Sequence, residues 1–174
     1  MILKVLSIVA LLIALVMLYA ACQPSTLRLQ RSVVIDAHPD KVFALINDLH
    51  RWPDWNQDGD DSTVTRTFSG PDSGVGAESQ WDSRGKAGKG SMLITESQPF
   101  SRIVVKADFV RPFGSHNLNE FALEPAGAST RVTWSWQGQN LYFMKLMGVF
   151  VNMDRMIGQH FEDSLAKLKS LAEK

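Results

Sequence analysis

The sequence predicts an α+β fold: one curved antiparallel sheet covered by a long C-terminal helix, with one transmembrane helix in front. Three observations carry this. An apolar run opens the chain. After one strand and a short helical region, segment after segment from Ser62 onward alternates like a strand between turn-rich connections. The chain then ends on a helix with one long apolar stripe.

Residues 1–22, MILKVLSIVALLIALVMLYAAC, have Lys4 as the sole charge, and between Val5 and Ala21 the only polar side chains are Ser7 and Tyr19. About 20 apolar residues suffice to cross a bilayer as a helix. An uncleaved anchor needs only that length. A bacterial lipoprotein signal would place Cys22 after small residues; Ala20 and Ala21 fit, whereas Tyr19 stands where leucine is usual. A cleaved secretory signal finds only poor sites around Tyr19 and Ala21. Each reading delivers the rest of the chain onto or across a membrane, single-pass or lipid-anchored. Lys4 favours a cytoplasmic N-terminus and an extracytoplasmic domain, against Arg28 and Arg31 on the other flank. Residues 23–27 read as a linker and 28–174 as the folded domain.

LRLQRSVVID is rich in branched apolar residues and reads as the first strand. Pro39 opens a helix carrying Val42, Phe43, Leu45, Ile46 and Leu49, and Pro53 stops it between Trp52 and Trp55. STVTRTF, AESQWDSR, GKGSMLITES, RIVVKADFV, HNLNEFALE and STRVTWSWQ supply the remaining strands. Met153, Ile157, His160, Phe161, Leu165 and Leu168 recur at helical steps in the last segment.

Lys+Arg and Asp+Glu both number 18, so the net charge is zero, which argues against a nucleic-acid partner. Cys22 is the only cysteine, which excludes an intramolecular disulfide and any thiolate zinc or iron–sulfur site. The four histidines, His38, His50, His116 and His160, show no metal spacing. Asp54, Asp58, Asp60 and Asp61 crowd one loop but lack the closing glutamate of an EF-hand and read as a solvated acidic loop. GPDSGVG and GKAGKG do not precede a helix, as a phosphate loop must, and read as hairpin connections. No cofactor and no metal are expected.

Taken in order, RSVVIDAHPDKVFALINDLHRWPDWN, SGPDSGVGAESQW, GKGSMLITESQP, FALEPAGASTRVTWSWQG and DRMIGQHFEDSLAKLKSLAEK resemble the START-like superfamily (SRPBCC), and more closely its polyketide cyclase/dehydrase-like lipid-binding group. The resemblance covers residues 28 to 173. It implies a helix-grip fold, in which a seven-stranded sheet wraps a long helix around a hydrophobic cavity. It implies no catalytic motif. In that fold Trp52 and Trp55 would plug one end of the sheet.

Strand alternation gives a candidate lining. Val105, Ala107 and Phe109 face in with Ile103, opposite the more polar set of Val104, Lys106 and Asp108. Phe121 carries Asn117 and Asn119 inward with Leu123, and Trp134 and Trp136 share a face with Val132. Ser79, Trp81, Met92 and Ile94 complete the wall, which Met153, Ile157 and His160 meet from the helix. Each such residue on its own suits a plain core. Together they form a large apolar wall with a few polar groups, the usual composition of a ligand pocket. The asparagines would need partners on that wall, and a ligand atom or a water could serve.

Binding of a hydrophobic small molecule or lipid between sheet and helix is the favoured function. An enzyme of the cyclase/aromatase kind is the alternative, with His160 as acid/base and Asn119 as orienting group. A protein-interaction module with a filled core is the third reading. NLYFMKLMGVF, residues 140–150, holds more apolar side chains than a surface connection needs. It could pack as extra core, line the cavity mouth, or dip into the membrane.

Overall fold

The computed structural model describes residues 2–56, 63–85, 87–111 and 114–174, without the side chain of Met153. Asp58, Asp60 and Asp61 of the acidic loop therefore lie outside the described residues, as does the Met153 side chain.

The alternating segments become Thr26–Ile35 (β1), Thr65–Ser69 (β2), Glu78–Asp82 (β3), Lys89–Gln98 (β4), Arg102–Arg111 (β5), Ser115–Ala126 (β6) and Ser129–Gln139 (β7). They form one sheet of seven strands in the order β1-β7-β6-β5-β4-β3-β2. Sequential neighbours pair antiparallel from β2 to β7, and β1 closes the other edge against β7. β1 starts at Thr26, opposite Gln139, so the last two residues assigned to a linker already pair in the sheet. The alternation holds along the long strands, except that a register shift between Ile94 and Glu96 interrupts it in β4. On the outer face Val104 is also buried, because Arg102 bridges Glu96 and Glu120, the two residues paired with Val104 across the sheet.

The helices are Ile2–Cys22 (α1), Pro39–Asn47 (α2), Trp52–Trp55 (α3), Tyr142–Met147 (α4) and Met153–Ala172 (α5), with a 3₁₀ turn at Leu49–Arg51 before α3. α1 is long and apolar enough to cross a membrane. Its large apolar side chains stand exposed along its length, from Ile2 to Tyr19. Pro39 begins α2 because its fixed φ suits the first helical turn. The helix opened by Pro39 ends at Asn47 and not at Pro53 as expected; Pro53 instead lies in the first turn of α3, where a missing N–H costs nothing, and both indoles fold back under α2. Trp52 Nε1 donates to the Ile46 carbonyl at 2.8 Å and Trp55 Nε1 to the Leu45 carbonyl at 3.2 Å. Both rings are buried, so the motif closes one end of the sheet.

α5 lies along β1, and side chains tie the two together at both ends. Lys169 Nζ donates to the Val34 carbonyl, and the Asp36 N–H donates to Glu173 Oε1, each at 2.7 Å. An edge strand otherwise offers its unpaired backbone groups to other chains. Nearer the start of α5, the Arg31 guanidinium reaches Asp154 at 2.9 Å and Glu162 at 2.7 Å. It lies flat against Gly158, where a Cβ would come within 2.0 Å of Arg31 Nη2. These contacts shift the ionisable groups. Asp154 and then Glu162 raise the Arg31 pKa, and the Asp36 N–H, then Lys169, hold Glu173 below the usual carboxylate range.

Candidate functional site

The inner face of the sheet has two unlike halves. Toward the α3 end the rings interlock. Trp52 and Trp55 lie 5.0 Å apart, Phe121 is 4.9 Å from Trp134, and Trp134 stacks on Phe161 of α5 at 4.2 Å. Trp55 reaches both Phe121 and Trp134 edge-on at 6.1 Å. Such spacings are those of attractive aromatic pairs. Ile94, Val105 and Phe121 are fully buried here. Ser79, Trp81 and Met92, with Leu49 and Trp52, border a void of about 10 Å³, roughly the room for one water.

Toward the other end burial relaxes. The register brings Leu27, Gly138, Asn117 and Phe109 to this end of the sheet. Phe109 and Trp136 are half-buried, as are Ile157 and His160 across from them on α5. Trp136 lies flat along its own strand, because a Cβ on Gly138 would fall 2.4 Å from its ring. The same device recurs at Gly90, whose Cβ would meet the Trp81 ring at 2.5 Å. Trp81 then meets Phe109 edge-on at 5.2 Å. Glycines beneath indoles leave room for a flat aromatic floor where another side chain would fill the space.

The polar groups settle differently from the sequence expectation. Asn119 Oδ1 accepts from Trp134 Nε1 at 2.9 Å inside the closed half. The partner sought for Asn119 is thus the neighbouring indole, and no ligand atom is needed. Asn117 Nδ2 donates to Ser115 Oγ at 3.3 Å. The indole N–H groups of Trp52, Trp55, Trp81 and Trp134 all have protein acceptors. Trp136 is the exception among the described residues. His160 sits 5.9 Å from the Phe161 ring, in an aromatic setting. Among the described residues, no cluster of His, Cys, Asp and Glu is placed to hold a metal.

The sequence model of the polyketide cyclase / dehydrase and lipid transport family matches residues 26–173. The chain belongs to that family. Solved structures share its fold. A protein from Nitrosospira multiformis superposes with a TM-score of 0.61 at 17% identity, covering 84% of this chain and 96% of its own. One from Chromobacterium violaceum gives 0.60 at 18% identity, covering 87% and 99%. The Aha1 dimer from Colwellia psychrerythraea gives 0.56 at 18%, covering 84% and 96%. No curated protein matches the chain in sequence. At these identities the neighbours establish the fold, and a fold does not by itself assign a function.

Of the proposed lining, Ser79, Trp81, Met92, Ile94, Val105, Ala107, Asn119, Phe121 and Trp134 are buried, with Ala107 paired to Asn117 and Trp81 packed on Phe109 toward the other end. Phe109, Asn117, Trp136, Ile157 and His160 gather at the relaxed end. Sequence reasoning missed Arg31, Gly138 and Gly158. The first clamps α5, and the glycines admit a ring or a guanidinium that a Cβ would exclude.

Proposed function

We propose that the chain is a membrane-tethered binder of a hydrophobic small molecule or lipid, taken up between the sheet and α5 at the relaxed end of the grip. The observation that carries this is the gradient of burial along the inner face. It runs from fully buried Val132 to half-buried Trp136 on β7, from Val105 to Phe109 on β5, and from Leu168 to Ile157 on α5. A core built only for stability would gain by filling that end, since each buried large apolar side chain contributes ~1.5–3 kcal/mol. Trp136 offers a ligand an apolar face and an N–H donor.

The relaxed end is also the end beside the anchor. The Asn140 N–H, one residue beyond β7, donates to the Ser25 carbonyl at 2.8 Å, and Ser25 lies three residues after α1. A ligand leaving the grip here would emerge beside the bilayer, with little water to cross. The cyclase reading is weaker, because its orienting group, Asn119, is committed to Trp134.

Mass spectrometry of lipids that co-purify with the full chain in mild detergent tests the proposal. A stoichiometric hydrophobic species, lost in a Trp136→Ala variant that still folds, is the expected result. Protein that stays empty after exposure to membrane lipid extract contradicts it.

A further inference from the structure

We infer that α4 and the turn after it are embedded in the interfacial layer of the same bilayer that α1 enters, so that the relaxed end of the grip rests on lipid. This rests on α1 being a membrane segment and not on what the grip binds. α4 is apolar and poorly covered by protein: Phe143 is 55% exposed, Phe150 74%, and Tyr142 and Met147 are also exposed. A contiguous apolar patch of this kind marks a contact surface. What covers it follows from its neighbour. Tyr142 Oη donates to the Met17 carbonyl at 3.2 Å, so α4 is fastened beside α1.

The depth of that fastening decides the partner. The 21 residues of α1 extend for about 31 Å at the α-helical rise, close to the ~30 Å of a hydrocarbon core. Met17 lies five residues before Cys22, or about 8 Å along the axis. A helix fixed at that level is carried to the boundary between headgroups and acyl chains. There the exposed side chains of Phe143, Met147 and Phe150 can leave water, as those of interfacial amphipathic segments do. Between α1 and α4 runs a groove of about 500 Å³. Tyr19, Val149 and Phe150 give it apolar walls, and Lys145 and Asn152 line it as well. That pairing of apolar wall and cationic side chain suits one phospholipid, with its chain along α1 and its phosphate toward Lys145.

Probe depth measured in the full chain tests this. In a Cys22→Ser background, single cysteines replace Phe150, Leu12 within α1, and Asp72 in the connection at the far end of the sheet. Each is labelled with an environment-sensitive fluorophore and reconstituted into phosphatidylcholine/phosphatidylglycerol vesicles with or without doxyl-labelled lipid. The expected result is blue-shifted emission, lost to the doxyl quencher, at both Leu12 and Phe150, and neither effect at Asp72. Emission at Phe150 matching that at Asp72, with Leu12 quenched, overturns the inference while leaving the anchor intact. If Leu12 also escapes quenching, the inference falls together with the tether. Ligand binding at Trp136 is a separate readout that either outcome leaves unchanged.

Discussion

The bond between Asn119 and Trp134 separates a structural asparagine from a ligand-binding one, and a double-mutant cycle can weigh it. Trp134 is 2% exposed and Asn119 5%, and the indole donates to the amide oxygen at 2.9 Å. Trp134→Phe keeps a ring in the stack against Phe161 and Phe121 but strands Asn119 Oδ1. The stranded acceptor costs ~1–3 kcal/mol, and the smaller ring leaves unfilled volume worth ~1 kcal/mol more. The total, about 2–4 kcal/mol, lowers Tm by roughly 4–16 °C in a domain of this size. Asn119→Leu strands the indole N–H instead and costs ~1–3 kcal/mol. In the double variant neither polar group remains, so ~1–3 kcal/mol of the summed loss returns. Thermal unfolding of the full chain in detergent, followed by near-ultraviolet circular dichroism at one scan rate, reads all four corners. Strictly additive losses, or single variants that melt with the parent, would refute this assignment and return Asn119 to the ligand.

Three further outcomes follow from the same geometry. Trp136→Ala should weaken hydrophobic-ligand binding by about tenfold, ~1.4 kcal/mol, and lower Tm less than Trp134→Ala does, as fluorescence titration and melting will show. Gly138→Val places a side chain where the Trp136 ring and Asn117 Oδ1 lie, 2.4 and 2.3 Å from its Cβ. It should cost ~1–3 kcal/mol by overpacking and displace the Trp136 indole resonance. Glu173 titrates below its ordinary range in the folded protein because it accepts the Asp36 N–H. The stability it contributes is therefore complete above the ordinary carboxylate range and is lost as pH falls through its lowered folded value. Hydrogen exchange at the Asp36 amide and the end of α5 should speed up in that acidic window, and Glu173→Gln should abolish the pH dependence there.

The strands, the two indoles at the α2–α3 turn and the buried faces of β5, β6 and β7 follow signals present in the sequence, whereas no inward face was assigned on β1. They rest on period-two alternation, on Pro53 and on the apolar stripe of α5, all of which are local signals. What was not legible depends on distance between elements. That Trp134 is interlocked while Trp136 is half-buried depends on where α5 meets β7, and alternation gives both the same face. The partner of Asn119 is set by the packing of β6 against β7. Arg31 reads as one charge in an alternating strand, and only the approach of α5 at Gly158 turns it into a clamp. For residues 140–150 the sequence left core, cavity mouth and membrane open. The contact of Tyr142 with Met17 brings the segment beside α1.

The most direct test of ligand capture is the indole ¹⁵N–¹H spectrum of the full chain, whose five tryptophans sample both halves of the inner face. On addition of membrane lipid extract, the account predicts that the Trp136 resonance moves while those of Trp52 and Trp55, bonded under α2, stay in place. A spectrum in which no indole shifts, or in which Trp52 and Trp55 move while Trp136 does not, contradicts it.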